Sequence, residues 1–200
     1  MMPPYLEKLH ELVERWSPLG VQEFEDGTRL IGRLPKKGSG AFLHRLFGPL
    51  STDLIDSIED SVGQSIPDKL REFFRYHNGC ILFDQSIYVF GLRRSYDRSD
   101  FEAMACNPFD IVVPALVTLP KSPSGKGIAI CNYEDGSSVL IEPDGEVVRL
   151  LDDPSGRVVS KWSNFGDWLV SEYQRIERFY DEAGQLLVDP MDVPPSHSIS

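Results

Sequence analysis

Few residues in this chain of 200 have the types and spacing that catalysis or metal binding requires. His77 and Cys80 form an H-x-x-C pair, which is half of a zinc site or, with the imidazole as base, a nucleophile pair. A structural zinc site needs a second such pair, and the sequence contains none. Because apolar residues surround both side chains, we expect them to lie in the core, with a Cys–His nucleophile as the alternative.

Two glycine-containing loops have the composition of phosphate-binding loops. The loop Ser124-Gly125-Lys126-Gly127 has Pro120 where a Walker motif needs glycine, and Gly127 where it needs Ser or Thr. The basic segment 36–40 contains two lysines followed by Gly-Ser-Gly, and a phosphate site there is a less favoured interpretation. We therefore predict that the protein holds no cofactor and no metal.

Neighbouring carboxylates are abundant, but their positions do not favour acid–base catalysis. They are expected in turns or on exposed helix faces, at Glu59-Asp60, Glu134-Asp135, Asp152-Asp153 and Asp181-Glu182. A general acid needs a carboxylate in an apolar pocket, where its pKa rises toward neutrality. We therefore predict that the protein is not an enzyme.

Charge narrows the class of partner. The 31 acidic residues outnumber the 20 basic ones, which gives a net charge of −11. A surface of this sign repels phosphates, so we predict that neither nucleic acid nor an anionic membrane is a partner. A basic protein is favoured as partner, although a role in solubility alone accounts for the charge equally well.

Cysteine usage and hydropathy bear on location. The chain has three scattered cysteines and no C-x-x-C motif, which favours a reducing compartment. Neither a signal peptide nor an apolar run of about 18 residues is visible in the sequence. These features predict a soluble cytoplasmic protein.

Apolar spacing and turn residues predict the elements that must position these side chains. Helices are expected after Pro4, from Ser51 to Gly63, from Pro67 to Asn78-Gly79 and from Ser163 to Gly184. Strands are expected as a hairpin over 21–34, a pair over 80–83 and 87–90, a meander over 127–133, 138–141 and 146–151, and a last strand over 158–162. The segment 35–50 has no clear assignment. This order predicts an α+β fold, with an antiparallel sheet and helices packed mainly on one face.

Four segments, in this order, resemble the SUKH superfamily of Syd, Knr–Smi-like cell-wall regulators and bacterial immunity proteins. They are residues 66–74, residues 78–91, the meander with its Asp135-Gly136 and Asp144-Gly145 turns, and residues 163–169. The resemblance implies a SUKH-like domain over 51–184, with helices on an antiparallel sheet. It leaves 1–50 as an N-terminal helix and hairpin extension, and 185–200 as a tail that we expect to be partly disordered.

The resemblance also implies a function, because bacterial members often act as immunity proteins that neutralise toxins by binding. The first hypothesis is therefore a non-catalytic cytoplasmic immunity protein whose partner is a basic toxin domain. The second is a regulatory or scaffold protein of the Knr–Smi-like type, without a toxin partner.

The predicted partner-binding residues are acidic and aromatic side chains of the 84–110 region and of the meander turns. Over 93–102, arginine, tyrosine and carboxylates alternate as they do in interface hot spots, although an ordinary solvated loop is the simpler alternative. The predicted set is Asp84, Tyr96, Asp97, Asp100, Phe101, Glu102, Asp110, Glu134, Asp135, Glu142 and Asp144. Tyr96 and Phe101 are the expected anchors, because a loop aromatic can fill a partner pocket at low entropic cost.

Overall fold

The computed structural model describes residues 1–96, 104–116, 122–152 and 156–194. Over these ranges the chain forms two antiparallel sheets and five helices, which confirms the predicted α+β class. The helices are α1 Pro4–Glu14, α2 Thr52–Val62, α3 Asp68–Phe74, α4 Val112–Leu116 and α5 Phe165–Glu177. Two short 3-10 turns are also present. One lies at Ser17–Leu19, after α1, and the other at Pro190–Asp192, after α5.

The strands divide into a five-stranded and a four-stranded sheet, each in sequential order. The first sheet contains β1 Val21–Glu23, β2 Arg29–Arg33, β3 Phe42–Leu46, β4 Cys80–Leu82 and β5 Ile87–Val89. The second contains β6 Ile128–Asn132, β7 Ser138–Ile141, β8 Val147–Leu150 and β9 Val158–Trp162. The predicted hairpin, strand pair, meander and last strand are thus all present.

The boundary between the sheets lies where β5 approaches β6. A hydrogen bond joins them there, from Phe90 N to Ile130 O at 2.9 Å. Beyond Phe90 the chain turns to another partner, because Gly91 N donates to Phe109 O and Ile111 N donates to Gly91 O, both at 2.8 Å. We expected a single sheet, and this change of partner divides it into two.

The segment that the sequence left unassigned contains β3, the central strand of the first sheet. β3 pairs with β2 on one side and with β4 on the other. Because β4 lies beyond residue 51, the first fifty residues and the SUKH-like region contribute neighbouring strands to the same sheet.

The inner face of the first sheet is covered by helices that also pack on one another. Tyr173 of α5 donates its hydroxyl to Leu12 O of α1 at 3.1 Å, and its ring stacks on His44 of β3 at 5.5 Å. α3 joins this core where Phe73 meets Phe165, with ring centroids 5.0 Å apart. His44 has no exposed surface, and burial lowers its pKa to about 3.

Three of the predicted helix ends are wrong, and two of them belong to α5. Asn164, not Ser163, caps α5, because its side-chain oxygen accepts a hydrogen bond from Asp167 N at 3.0 Å. At its other end α5 stops at Glu177, short of the predicted Gly184.

α3 ends at Phe74, so Asn78-Gly79 does not terminate it as predicted. The Asn78 amide instead clamps Leu92, donating to its O at 2.9 Å and accepting from its N at 2.6 Å. Gly79 has φ +84°, and a Cβ there would lie only 2.5 Å from Val89 O. The Asn-Gly pair therefore ties the start of β4 to the end of β5.

The C-terminal segment packs back on the domain as far as the structure describes it. Leu187 N donates to Phe179 O at 2.8 Å, and Val193 is buried. Of the tail over 185–200 that we expect to be partly disordered, residues 195–200 lie outside the described residues. None of the helices in the described ranges combines the length and the apolar character needed to cross a bilayer.

Candidate protein-binding surface

The candidate surface lies on the face of the first sheet opposite to the helices. Strand register places one row of side chains across this face, because residues paired on neighbouring strands point to the same side. The row consists of Gln22, Leu30, Arg45, Ile81 and Tyr88, from β1 to β5.

Two adjoining clefts of about 250 Å³ each lie along this row. Phe42, Arg45 and Met104 line both of them, which makes the two continuous. We call them together the outer-face cleft, defined by Leu30, Phe42, Arg45, Ile81, Met104 and Phe109. Met104 and Phe109 are 37% and 38% exposed, so solvent reaches apolar side chains here.

A strained turn between β4 and β5 borders the outer-face cleft. Phe83, Asp84 and Gln85 all have positive φ, at 53°, 49° and 83°. Non-glycine residues rarely adopt this conformation, and it persists only where neighbours hold it. Here the Tyr180 hydroxyl donates to Phe83 O, and Asp84 N donates to Leu43 O, both at 2.8 Å. Strain of this kind is concentrated at functional sites.

Three of the predicted binding residues lie at this surface. Asp84 lines the cleft and forms an ion pair with Lys37. Tyr96 is 62% exposed and donates its hydroxyl to Asp110, and the Arg93 guanidinium lies 4.9 Å from its ring centroid. Arg93 also lines the cleft, so Tyr96, and through it Asp110, lies beside the same cleft as Asp84. The predicted residues Asp97, Asp100, Phe101 and Glu102 lie outside the described residues.

The meander turns do not form one surface, because they lie at opposite ends of β7. Glu134 is exposed at the end near the outer-face cleft. Burial raises the pKa of Tyr88 to about 12, and the nearby Cys131 and Glu134 add to the effect. Asp144 is exposed at the other end, next to Pro67 and Lys69 at the start of α3.

The remaining two meander carboxylates are used within the domain. Asp135 forms an ion pair with Arg149, a side chain with no exposed surface. Although burial opposes it, the hydrogen bonds from Ser137 and the guanidinium charge hold the pKa of Asp135 below its ordinary value. Glu142 is buried and accepts hydrogen bonds from the Ser122 and Ser124 hydroxyls.

The side chains that suggested chemistry also have structural partners. Both ring nitrogens of His77 are used, Nδ1 toward Phe47 O at 3.2 Å and Nε2 toward His10 Nε2 at 2.7 Å. Burial lowers the pKa of His77 to about 4 and raises that of Cys80 to about 12. Cys80 therefore remains a thiol without an imidazole base, which is unsuited to nucleophilic attack.

The polar side chains of the two glycine-containing loops also have partners within the domain. Ser124 directs its hydroxyl to a carboxylate, Glu142, and Lys37 of the basic segment is paired with Asp84. In the part of the chain that the structure describes, no three His, Cys, Asp or Glu side chains are grouped to hold a metal ion.

Sequence reasoning missed the centre of the surface. Phe42 and Arg45 belong to the segment left unassigned, and Met104 and Phe109 were not among the predicted residues. The apolar run Phe42-Leu43 and Leu46-Phe47 was the signal for a buried strand there. It does not alternate between apolar and polar positions, as a half-buried strand would.

Fold and surface together define an α+β domain with a cleft across the open face of its first sheet. The SMI1 / KNR4 family (SUKH-1) matches residues 49–171 of this chain. The chain belongs to this family, which confirms the resemblance to the SUKH superfamily. Comparison with curated proteins gave no match. The match begins after β3, so the outer-face cleft is formed jointly by matched strands and by strands that precede the match.

Proposed function

We propose that the protein is an immunity-type member of its family, which neutralises a cognate toxin by binding it over the outer-face cleft. The observation that carries the proposal is the combination of exposed apolar side chains and a strained turn at a cleft on the sheet face opposite to α1, α3 and α5. Tyr96, Met104 and Phe109 are the exposed apolar side chains of this region. Aromatic residues and methionine are enriched in protein interfaces relative to the rest of the protein surface.

Charge supports a basic partner. Asp84 lines the cleft, Glu134 lies near Tyr88 of the same sheet face, and the whole chain carries a net charge of −11. Complementary charge accelerates association, which an immunity protein needs in order to act before the toxin does. The effect weakens as salt screens the charges.

The buried ionisable groups support a binding role over a catalytic one. Glu172, the most buried acid of α5, accepts a hydrogen bond from Tyr133 at 2.6 Å and pairs with Arg175 at 2.8 Å. His44 and Cys80 are enclosed in the core. These groups stabilise the fold and are held away from the cleft where a substrate would bind.

The direct test takes the products of the genes immediately upstream of this one as candidate partners and asks whether any of them is toxic when it is expressed alone. We expect co-expression with the present chain to restore growth and the purified pair to form a complex. Tyr96→Ala should weaken the complex by about tenfold or more, as loss of a hot-spot aromatic does. Binding to none of the neighbouring gene products would instead favour a Knr–Smi-like regulatory role.

A matched pair of charge reversals tests where the toxin binds. Glu134→Lys changes an exposed carboxylate beside the outer-face cleft, and Asp144→Lys changes one at the opposite end of β7. We expect Glu134→Lys to slow association several-fold at low salt and Asp144→Lys to have less effect. An equal effect of the two variants would contradict the proposed surface.

A further inference from the structure

The outer-face cleft contains a cation whose charge has no partner within the described residues. Arg45 lies on β3 between Leu30 and Ile81, which are 3% and 8% exposed. Its guanidinium makes one long hydrogen bond, to Gly40 O at 3.4 Å. In the ranges that the structure describes, no carboxylate lies within ion-pairing distance of it.

This arrangement is unfavourable for Arg45 in the unbound protein. A guanidinium has five N–H donors, and removing it from water without an acceptor costs free energy. Burial accordingly lowers the pKa of Arg45, and the charge of Asp84 opposes this only in part. The Asp84 carboxylate is itself held by Lys37. An acceptor from outside the chain would relieve the unpaired charge.

The rest of the cleft restricts what that acceptor can be attached to. Phe42, Ile81, Met104 and Phe109 present apolar walls on both sides of the guanidinium. Each half has a volume of about 250 Å³. Each half therefore has room for one side chain, and two neighbouring side chains of a partner can fill the continuous cleft.

We infer that the outer-face cleft binds an acidic side chain of a protein partner, with its carboxylate on Arg45 and a neighbouring apolar side chain against Met104 and Phe109. Arginine is suited to this role, because its planar fork can hold both oxygens of a carboxylate. The inference rests on one part of the proposed function, namely that a protein occupies the cleft. That protein need not be a toxin. It gives the cleft a positive centre beside Asp84, which is the carboxylate among its lining residues and is paired with Lys37.

The site would also determine partner specificity. Arg45 and Phe42 lie before the family match, whereas Ile81, Met104 and Phe109 lie inside it. A partner that lacks the acidic residue would leave Arg45 buried and unpaired, and such a mismatch costs far more than a lost surface contact.

The test is a titration of isotope-labelled full-length protein, followed by NMR, with the peptide acetyl-Leu-Glu-Phe-amide. We expect shifts of the Arg45 Nε–H and of the Phe42 and Ile81 amides, with a Kd on the order of 1 mM. The analogue with Gln in place of Glu should bind about tenfold more weakly, because it offers no charge to the guanidinium.

Two variants separate the role of the charge from that of the strand. Arg45→Met keeps the aliphatic volume and removes the charge, so it should abolish the preference for Glu over Gln. Arg178→Met, at an exposed position at the C-terminal end of α5 and outside the cleft lining, is the control and should leave binding unchanged.

Three results would overturn the inference. They are equal binding of the Glu and Gln peptides, unchanged preference in Arg45→Met, and binding of free phenylpropionate without binding of the peptide. The last of these would make the cleft a small-molecule site. None of them bears on toxin neutralisation, which the co-expression experiment tests separately.

Discussion

Arg149 in the second sheet and Arg45 in the first both lie on interior strands, but their surroundings differ. Arg149 has no exposed surface, and Asp135 and Ser137 approach it from the turn between β6 and β7. Arg45 opens onto a cleft and has only a backbone carbonyl as acceptor among the described residues. The contacts of Arg149 stabilise the fold, whereas the guanidinium of Arg45 remains able to bind another molecule.

The carboxylates of the two sheets differ in the same way. Asp135 and Asp84 are both turn residues, and each forms one ion pair. The partner of Asp135 is fully buried, whereas the side chain of Lys37 is 52% exposed. Loss of one partner costs little in an exposed ion pair and several kcal/mol where it leaves the other charge buried, so residue type alone does not decide the role.

The largest effect should come from removing the buried pair of the second sheet. Asp135→Asn removes a counter-charge from Arg149, whose side chain has no exposed surface, and we expect a loss of about 3–5 kcal/mol in the free energy of unfolding. Urea denaturation measures this value. Glu134→Gln, at the exposed neighbouring position, is the control and should stay within about 0.5 kcal/mol. Similar values for both variants would show that the buried pair with Arg149 contributes no more than an exposed charge.

The next largest loss of stability should come from substituting Gly79, whose backbone packs closely against Val89. Gly79→Ala combines a positive φ with a Cβ 2.5 Å from Val89 O, and should destabilise the protein by about 3 kcal/mol. Gly63→Ala is the matched control, because its φ is +72° but no atom lies within 4 Å of the new Cβ. It should cost only about 1 kcal/mol. Equal losses in thermal unfolding would show that the contact is not tight.

Acid should weaken the first sheet more than the second. The buried His44 and His77 belong to the first sheet and its helices, and residues 128–162 contain no histidine. Their pKa values are lowered to about 3 and about 4, so the unfolded chain binds protons more readily than the folded one. Their contribution to stability is full above pH ~6.5 and is lost as the pH falls toward those values.

The expected loss for each histidine is on the order of 1 kcal/mol per pH unit within that range. Hydrogen exchange at about pH 7 and about pH 5 should show protection lost first in β3 and β4. His44→Gln should make the dependence of unfolding free energy on pH shallower. A uniform loss across both sheets would contradict the assignment to the first.

The smallest effect on stability should come from the ion pair at the outer-face cleft. Asp84→Asn breaks the pair with Lys37, and we expect a change below about 1 kcal/mol because both groups are partly exposed. The same denaturation experiment as for Asp135→Asn provides the comparison. A loss as large as that of Asp135→Asn would make Asp84 a structural residue and remove it from the proposed surface.

Much of the local structure was determined by the sequence alone. Ser51 caps α2 through a hydrogen bond from Leu54 N, and Gly63 ends this helix with a positive φ, as predicted. The meander turns at Asp135-Gly136 and Asp144-Gly145 also lie where predicted, between β6, β7 and β8. Caps and turns depend on residues a few positions apart, so a short stretch of sequence contains the whole cause.

Only the tertiary structure decided which residues form the surface. β3 contributes Phe42 and Arg45 to the cleft while Leu43 and His44 lie in the core, so its faces do not alternate. Gly32 of β2, with φ +77°, lies against Leu43 and allows this irregularity. The cleft joins β2, β3 and β4, and these pairings link residues up to 36 positions apart, as between Arg45 and Ile81. Whether a charged side chain has a partner depends on such pairings between residues far apart in sequence. A local sequence pattern contains no information about them.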